Sequence, residues 1–327
     1  MKKGKILVTG GAGFIGSAFV KSALKRGFTP VVLDKLTYSA DLERLKELKD
    51  NFGFYKCDIT AEGKLKDIFN KENPVAVLNF AAESHVDRSI RDSSRFIETN
   101  IMGTRTLLDA AKESGINRFI HISTDEVYGE ITKGRYTETS PLNPGSPYSA
   151  SKAAADLIIK SYERTYDFPS IIVRPCNNYG PWQYPEKLIP LCVLKVIRNE
   201  KIPVYADGKN VREWMHVDDC VEAIMRILEK GKIHSIYNLG SGHNKQNIEV
   251  VSLILESLKK DKSCVKFVKD RPGHDMRYSL DSEKVLKDTG WRPKIGFKDG
   301  LEATIDWCTG HKNWLLSKWR KIAPLYR

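Results

Sequence analysis

Short apolar runs rich in β-branched residues alternate with longer helix-period segments through the first half of the chain. Lys5–Val8, Pro30–Leu33, Phe52–Cys57, Val75–Phe80, Phe119–Ser123 and Ser170–Arg174 predict strands. Gly16–Arg26, Asp41–Leu48, Lys64–Asn70, Arg95–Glu113 and Ser149–Tyr166 predict the helices between them. The strand runs do not alternate in polarity, which is what strands covered on both faces should show. The alternation predicts an α/β fold: a doubly wound parallel sheet of the Rossmann type, with its ligand crevice at the carboxyl ends of the strands. After Pro175 the pattern changes. Lys187–Asn199, Val217–Glu229, Ile248–Lys259 and Asp299–Cys308 read as helices, with brief strands at Pro203–Tyr205, Ile236–Leu239 and Val265–Val268. This predicts a first domain over residues 1–175 and a smaller mixed α/β C-terminal domain over 176–327, laid on the crevice. Residues 217–240 are expected to return to the first domain as a helix and a final strand.

The 327 residues suffice for one large domain or two modest ones. No apolar stretch approaches the roughly 18 residues of a membrane-spanning helix. Only Ile6-Leu7-Val8 separates the basic Met1–Lys5 from the first glycines, too little for a signal-peptide core, so a cytoplasmic location is expected. Six cysteines at 57, 176, 192, 220, 264 and 308 show no paired spacing and predict reduced, buried thiols. No Cys/His cluster predicts a metal site. The formal net charge of +12 favours a polyanionic partner. Dispersed lysines and the lack of a nucleic-acid motif favour a phosphorylated small molecule, with neither nucleic acid nor membrane as partner.

The first strand runs into Thr9-Gly10-Gly11-Ala12-Gly13-Phe14-Ile15-Gly16. Gly10, Gly13 and Gly16 allow a tight turn, close approach of backbone to a pyrophosphate, and close helix–strand packing. The helix N-terminus behind them offers unpaired N–H groups to phosphate. Asp34 ends the second strand, 18 residues after Gly16, where a carboxylate accepts from a ribose 2′-hydroxyl and repels a 2′-phosphate; this selects NAD over NADP. Lys35 beside it partly offsets that repulsion. Asp58-Ile59 and Ala81-Ala82 fall at strand ends facing the same crevice.

Tyr148 and Lys152 stand four residues apart on one helix face. An ammonium near a phenol favours the phenolate, which takes a proton from a substrate hydroxyl as hydride leaves to nicotinamide. The end of the fifth strand, Ser123-Thr124-Asp125-Glu126-Val127-Tyr128-Gly129, adds a hydroxyl and two adjacent carboxylates. A simple dehydrogenase needs neither carboxylate. In different environments they divide acid and base roles; otherwise they merely cap the following turn.

On these residues the chain resembles the extended short-chain dehydrogenase/reductases, and within them the dTDP-glucose 4,6-dehydratase branch. The likeness runs from Lys5 to about Trp291 and includes Asp34–Tyr38, Asn79–Ser89, Asn177–Pro181, Pro185–Pro190 and Arg271–Asp275. The resemblance implies a redox-neutral lyase with tightly held NAD. Tyr148, its pKa lowered by Lys152, would deprotonate the glucosyl 4-hydroxyl, Thr124 would polarise the C4 oxygen, Glu126 would remove the C5 proton and Asp125 would protonate the leaving C6 hydroxyl. It further implies cofactor contacts from Phe14, Ile15, Lys35, Thr37, Ser84, Thr99 and Asn178. Ser84, His85, Asn177, Lys187, Leu188, Arg212, Asn247, Arg271, His274 and Tyr278 would hold the nucleotide sugar.

Two stretches depart from the family pattern. Ser39-Ala40-Asp41 replaces a small-Gly-Asn run and adds a negative charge near the adenosine end, expected to weaken cofactor retention. Trp214-Met215-His216-Val217 varies an aromatic-rich run. No residue is seen to read the thymine methyl, so UDP-glucose stands as the alternative to dTDP-glucose. A 4-epimerase or decarboxylase on the same scaffold reuses Tyr148, Lys152 and NAD, yet requires no Asp125-Glu126 pair. A non-catalytic NAD-binding protein should lack Tyr148, Lys152 or Thr124, and all three are here. The resemblance also implies a homodimer through Arg95–Glu113 and Ser149–Tyr166. The basic aromatic Trp314–Arg320 segment is expected to dock on the small domain.

Overall fold

A computed structural model of the chain describes residues 3–48 and 51–323. Its first six strands are β1 (Lys5–Thr9), β2 (Thr29–Asp34), β3 (Gly53–Lys56), β4 (Ala76–Asn79), β5 (Phe119–Ile122) and β6 (Ser170–Pro175). They pair in parallel in the order β6-β5-β4-β1-β2-β3, and Ser235–Leu239 adds a seventh parallel strand beside β6. The chain reverses its direction of winding between β1 and β4, which opens a crevice at their carboxyl ends.

The unbroken apolar strands have a direct explanation. Ile6 and Val8 of β1 face one core with Phe19, Val20 and Ile224, whereas Leu7 between them faces another with Leu65, Phe69 and Leu107. Both faces of the sheet are covered, so neither set is polar. The helix Val217–Lys230 lies against Phe14–Lys25 on one face, and Arg26 ties them by ion pairs to Glu222 and Glu229.

A long helical segment, Ser94–Glu113, widens into a π-helical turn over Ile97–Gly103. Asn100 within it turns inward, accepting from the Glu83 amide (2.9 Å) and donating to the Glu83 carbonyl (3.0 Å) and Ser151 Oγ (2.8 Å). Such turns commonly redirect side chains at functional sites, and here Thr99 is presented to the crevice.

A second core, built on Tyr179, Ile189, Val250, Leu301 and Trp319, joins the helices Leu188–Ile197, Asn247–Ser257, Phe297–Gly310 and Lys312–Ile322. Two small sheets accompany it: Asn244–Gln246, Val211–His216 and Asn177–Tyr179 in one, Val265–Val268 beside Ile202–Tyr205 in the other. Sequence reading missed the strands of the first small sheet. Val211–His216 buries Arg212 and Glu213 among polar partners, so it carries no apolar signature. All six cysteines are free, five of them buried. Among the described residues no helix is long and apolar enough to cross a membrane.

Candidate active site

The cofactor end is assembled by backbone constraints. Gly10 has φ +66°, a conformation side chains disfavour, and a Cβ there would lie 2.6 Å from the Ala81 amide nitrogen. A Cβ on Gly16 would run into the Gly10 carbonyl oxygen. The loop therefore closes on the start of the helix Phe14–Lys25 only with glycine at both positions. Asp34 at the end of β2 holds this loop, accepting from the amides of Ala12 (3.0 Å) and Leu36 (2.8 Å). Burial raises its carboxyl, and those two amides work against the rise.

Gly10, Gly13, Asp34, Lys35, Thr37, Asp58, Ile59, Ala81, Ala82 and Thr99 line one cleft of about 510 Å³, open to solvent. Glu83, Ser39 and Ala40 join them, none of which the sequence had named as a cofactor contact. Lys35 bonds Thr99 Oγ1 (3.1 Å) and Asp58 Oδ2 (3.2 Å), so its charge is shared with Asp58 as well as facing Asp34. Phe14, Ile15, Gly16, Ser84 and Asn178 lie outside the cleft lining. Asn178 donates to the Cys176 carbonyl (2.9 Å), and its own carbonyl accepts from Gln183 (2.7 Å).

At the other end of the crevice, Thr124 caps a single turn, Asp125–Tyr128. Its hydroxyl accepts from the Glu126 amide (3.3 Å) and lies 3.2 Å from Asp125 Oδ1. Tyr148 enters from the helix Pro147–Tyr166, whose start is fixed by reciprocal Ser146 and Ser149 bonds. The Tyr148 hydroxyl is hydrogen-bonded to Thr124, and its ring meets Phe96 edge-on at 6.3 Å. Lys152, one turn on, donates to the Ile122 carbonyl (2.7 Å) and meets His121 Nε2 (3.1 Å). His121 Nδ1 in turn meets Asn79 Nδ2 (3.1 Å), and Thr9 donates to Asn79 Oδ1 (2.6 Å). A buried polar chain thus joins the glycine-loop strand to the Tyr148/Lys152 helix.

The electrostatics differ from the sequence expectation at one point. Burial, reinforced by Glu126, pushes the Tyr148 phenol up rather than down, with the Thr124 hydrogen bond opposing. Burial brings Lys152 down to about 8, and nearby Asp156 resists the fall. Desolvation governs the phenol, while the Lys152 ammonium is directed to Ile122 and His121.

The two carboxyls are both buried but face different charges. Asp125 is buried, with Oδ2 lacking a hydrogen-bond partner. Burial and the like charges of Glu126 and Glu213 push it well above the usual carboxylate range. Glu126 is also raised by burial, but Arg271, Arg212 and Lys187 all pull it back towards ionisation.

Those three cations are among the residues expected to hold substrate, and the structure gathers them around Glu126. Arg212 donates to the Asp275 carbonyl (2.9 Å) and stacks over the Tyr278 ring (4.5 Å), whose hydroxyl donates to Asp275. Lys187 bonds the Ser84 carbonyl (3.0 Å), and Arg271 reaches Asp87 (3.5 Å). His274 pairs with Asp270 (2.6 Å) within the field of Arg271 and Arg212. Burial, then Lys187, hold His85 down to about 3, so it is neutral at physiological pH. Asn247 begins the helix Asn247–Ser257 and connects to this cradle through a backbone bond to Asn210. Asn177 lies in the strand beside Trp214, and Leu188 opens its helix. Sequence reading missed His121 and Glu213, and gave Asp275, within the quoted Arg271–Asp275 stretch, no role. Only His121 left a signal, as the one polar residue inside the run Phe119–Ile122.

A dinucleotide-type cleft at one end of a crevice and a Tyr/Lys helix facing paired carboxyls at the other place this chain among the extended short-chain dehydrogenase/reductases. It belongs to the GDP-mannose 4,6 dehydratase family, whose family model matches residues 7–304. It is 48% identical to the low-salt glycan biosynthesis protein Agl12 of Haloferax volcanii, over 93% of this chain and 98% of that protein. It is 44% identical to a dTDP-glucose 4,6-dehydratase of Xanthomonas campestris, with 94% of each chain covered. Among solved structures, DesIV of Streptomyces venezuelae, a dTDP-glucose 4,6-dehydratase with NAD and TYD bound, superposes with a TM-score of 0.94 at 45% identity, over 96% of this chain and 99% of that one.

Proposed function

We propose that the protein is an NAD-dependent nucleotide-sugar 4,6-dehydratase that converts dTDP-glucose to the 4-keto-6-deoxy sugar. The observation that carries this reading is the pair Asp125 and Glu126, adjacent in sequence and both raised by burial, with anions acting most on the first after burial and cations on the second. An elimination of water needs one group that takes a proton and one that gives it. The similar dehydratases named above support the same reading.

The cleft suits NAD because Gly10 and Gly16 leave no room for side chains, and Asp34 keeps lone pairs for a ribose hydroxyl beside its two amide bonds. Thr99 lines that side, and Ser84 and Asn178, outside the cleft lining, are read as reaching the cofactor's nicotinamide end. Held there, NAD⁺ would supply a hydride acceptor for C4 of the sugar and a hydride donor for C6, with no net redox change. The chain's own residues move the protons. Tyr148 receives the C4 hydroxyl proton, Thr124 polarises the C4 oxygen, and Lys152 supplies positive charge one helical turn away. A ketone at C4 acidifies the C5 proton. Glu126, raised by burial but drawn back towards ionisation by its three cations, removes it. Asp125, whose carboxyl burial and its anionic neighbours push well up, gives its proton to the C6 hydroxyl, which departs as water. Lys187, Arg212 and Arg271 meet the diphosphate, Arg with a forked donor and Lys as a point charge. Ser84, His85, Asn177, Leu188, Asn247, His274 and Tyr278 surround the rest of the substrate.

Residues 1–175 with 217–240 are read as the unit holding the dinucleotide, and the remainder as the unit closing over the sugar. The protein is further read as a cytoplasmic homodimer. Ile97 and Met102 on one long helical segment and Leu157 on the Tyr148 helix are each about half exposed or more, an apolar set suited to a partner copy.

The test is proton NMR in D₂O with purified protein and dTDP-glucose or UDP-glucose. A 6-deoxy methyl signal with deuterium at C5 supports the dehydratase, and the faster substrate names the nucleotide. If supplemented NAD⁺ yields no methyl signal from either sugar, the assignment of Asp125 and Glu126 fails.

A further inference from the structure

Two features stand outside this chemistry: Asp41, an acidic residue beside the cleft, and the basic aromatic segment near the C-terminus. The structure brings them together. On the helix Lys312–Ile322, Trp314 and Lys318 lie one turn apart and meet the same carboxylate oxygen. Trp314 Nε1 donates to Asp41 Oδ2 at 2.7 Å, and Lys318 Nζ lies 2.6 Å from it. The side chains of Lys318 and Asp41 are 15% and 14% exposed, so solvent and salt screen the pair weakly.

Asp41 is in turn fastened to the glycine loop. Its amide donates to the Ala12 carbonyl at 2.9 Å, and Arg44 donates to that same carbonyl at 2.8 Å and to the Ser39 carbonyl at 2.8 Å. Arg44 also holds the carbonyl of Trp182, whose ring meets Trp314 edge-on at 5.4 Å. Ser39 and Ala40 form part of the cleft wall. The expected loose negative charge near the adenosine end is therefore not loose. Burial alone would raise the Asp41 carboxyl, but the hydrogen bonds from Lys318 and Trp314 outweigh it and hold it below its usual value.

We propose that the helix Lys312–Ile322 is a clamp on the cofactor cleft: by gripping Asp41 through Trp314 and Lys318 it fixes the 39–44 segment against the glycine loop and sets how tightly the dinucleotide is retained. The proposal rests on the reading that the cleft takes NAD. Removing Lys318 loosens the grip on the wall segment and leaves the Asp41 carboxylate, still bonded by Trp314, without its counter-charge beside an anionic ligand. Coupling of this kind is reciprocal, so the dinucleotide must tighten the docking of the helix by the same factor.

The test uses the full chain stripped of nucleotide. NAD⁺ is titrated calorimetrically into wild type, Lys318→Met, Lys318→Arg, Trp314→Phe and Lys321→Met, the last on an exposed position of the same helix. Hydrogen exchange over residues 312–322 is followed with and without NAD⁺. Lys318→Met and Trp314→Phe should weaken NAD⁺ binding about tenfold, within the usual range of site-to-site coupling. Lys318→Arg should recover most of the loss, and Lys321→Met should stay within about twofold of wild type. In wild type NAD⁺ should slow exchange in the helix, and in Lys318→Met it should not. Folded Lys318→Met and Trp314→Phe with wild-type affinity would overturn the clamp alone. If Lys318→Met fails to fold, Trp314→Phe decides the matter by the same readout. A wild-type chain that does not bind NAD⁺ overturns the reading of the cleft, and the clamp with it.

Discussion

Asp125→Asn separates function from structure most sharply. The side chain is buried, its Oδ2 has no partner, and Glu126 and Glu213 repel its ionised form. A buried polar oxygen left unpaired costs about 1–3 kcal/mol. The amide leaves a polar atom unpaired there too but cannot ionise, so the variant should be as stable as wild type or gain about 1.4 kcal/mol per unit by which burial raises the folded carboxyl. Because the folded-state pKa is raised, the wild-type carboxyl costs nothing below its unfolded value near 4, and its cost grows as pH rises from there towards the folded value. The stability advantage of Asp125→Asn should therefore be absent at about pH 3 and present at about pH 7. Catalysis should move the other way. Loss of a positioned general acid typically lowers the rate about 10²- to 10⁴-fold, or roughly 3–5 kcal/mol of barrier. The assay pairs urea unfolding at the two pH values with D₂O NMR of dTDP-glucose turnover. Oxidation at C4 should persist, seen as reduced nicotinamide absorbance, while the methyl signal is lost. Wild-type dehydration by Asp125→Asn would refute its role as the acid; a loss of stability at neutral pH would refute the electrostatic account.

Other outcomes follow from the same geometry. Glu126→Gln should oxidise C4 yet fail to wash deuterium into C5, and normal deuterium incorporation measured by NMR would remove Glu126 as the base. Gly10→Ala should abolish NAD⁺ binding by calorimetry and destabilise the chain by about 1 kcal/mol or more, since φ is +66° and the new Cβ meets Ala81. Lys152→Met should stop C4 oxidation yet raise stability. That gain is full below about 8 and fades as pH rises towards the unfolded value near 10.4, because burial depresses the folded pKa. Asp156→Ala breaks a buried pair with Arg174 (2.9 Å) and should cost about 3–5 kcal/mol in urea unfolding, whereas a loss under about 1 would show the pair to be solvated.

Much of the fold was legible because the information is local. Ile6, Leu7 and Val8 read as a strand covered on both faces, and two separate cores receive them. The strand Val211–His216 was not legible, since its polar residues find partners in distant segments: Glu213 accepts from the amides of Gly242 and Leu280, and Arg212 donates to the Asp275 carbonyl. The wide turn at Ile97–Gly103 escaped for a related reason, because the ordinary helical pattern hides a shift in hydrogen bonding that Asn100 and Glu83 stabilise across the fold.

By itself the sequence determined the parts whose geometry is set within a few residues. The glycine spacing makes a loop that tolerates no side chain, four residues place Lys152 a turn beyond Tyr148, and Thr124 caps the turn that carries Asp125 and Glu126. Only the tertiary structure decided what those groups feel. Lys187, Arg212 and Arg271 come from three separate segments to meet Glu126, Glu213 bears on Asp125, and Trp314 answers Asp41 across 273 residues. Burial and charge act through space, and no local spacing encodes them. Hence the phenol that sequence reasoning expected to be eased towards ionisation by Lys152 is, in the folded chain alone, held back from it by desolvation.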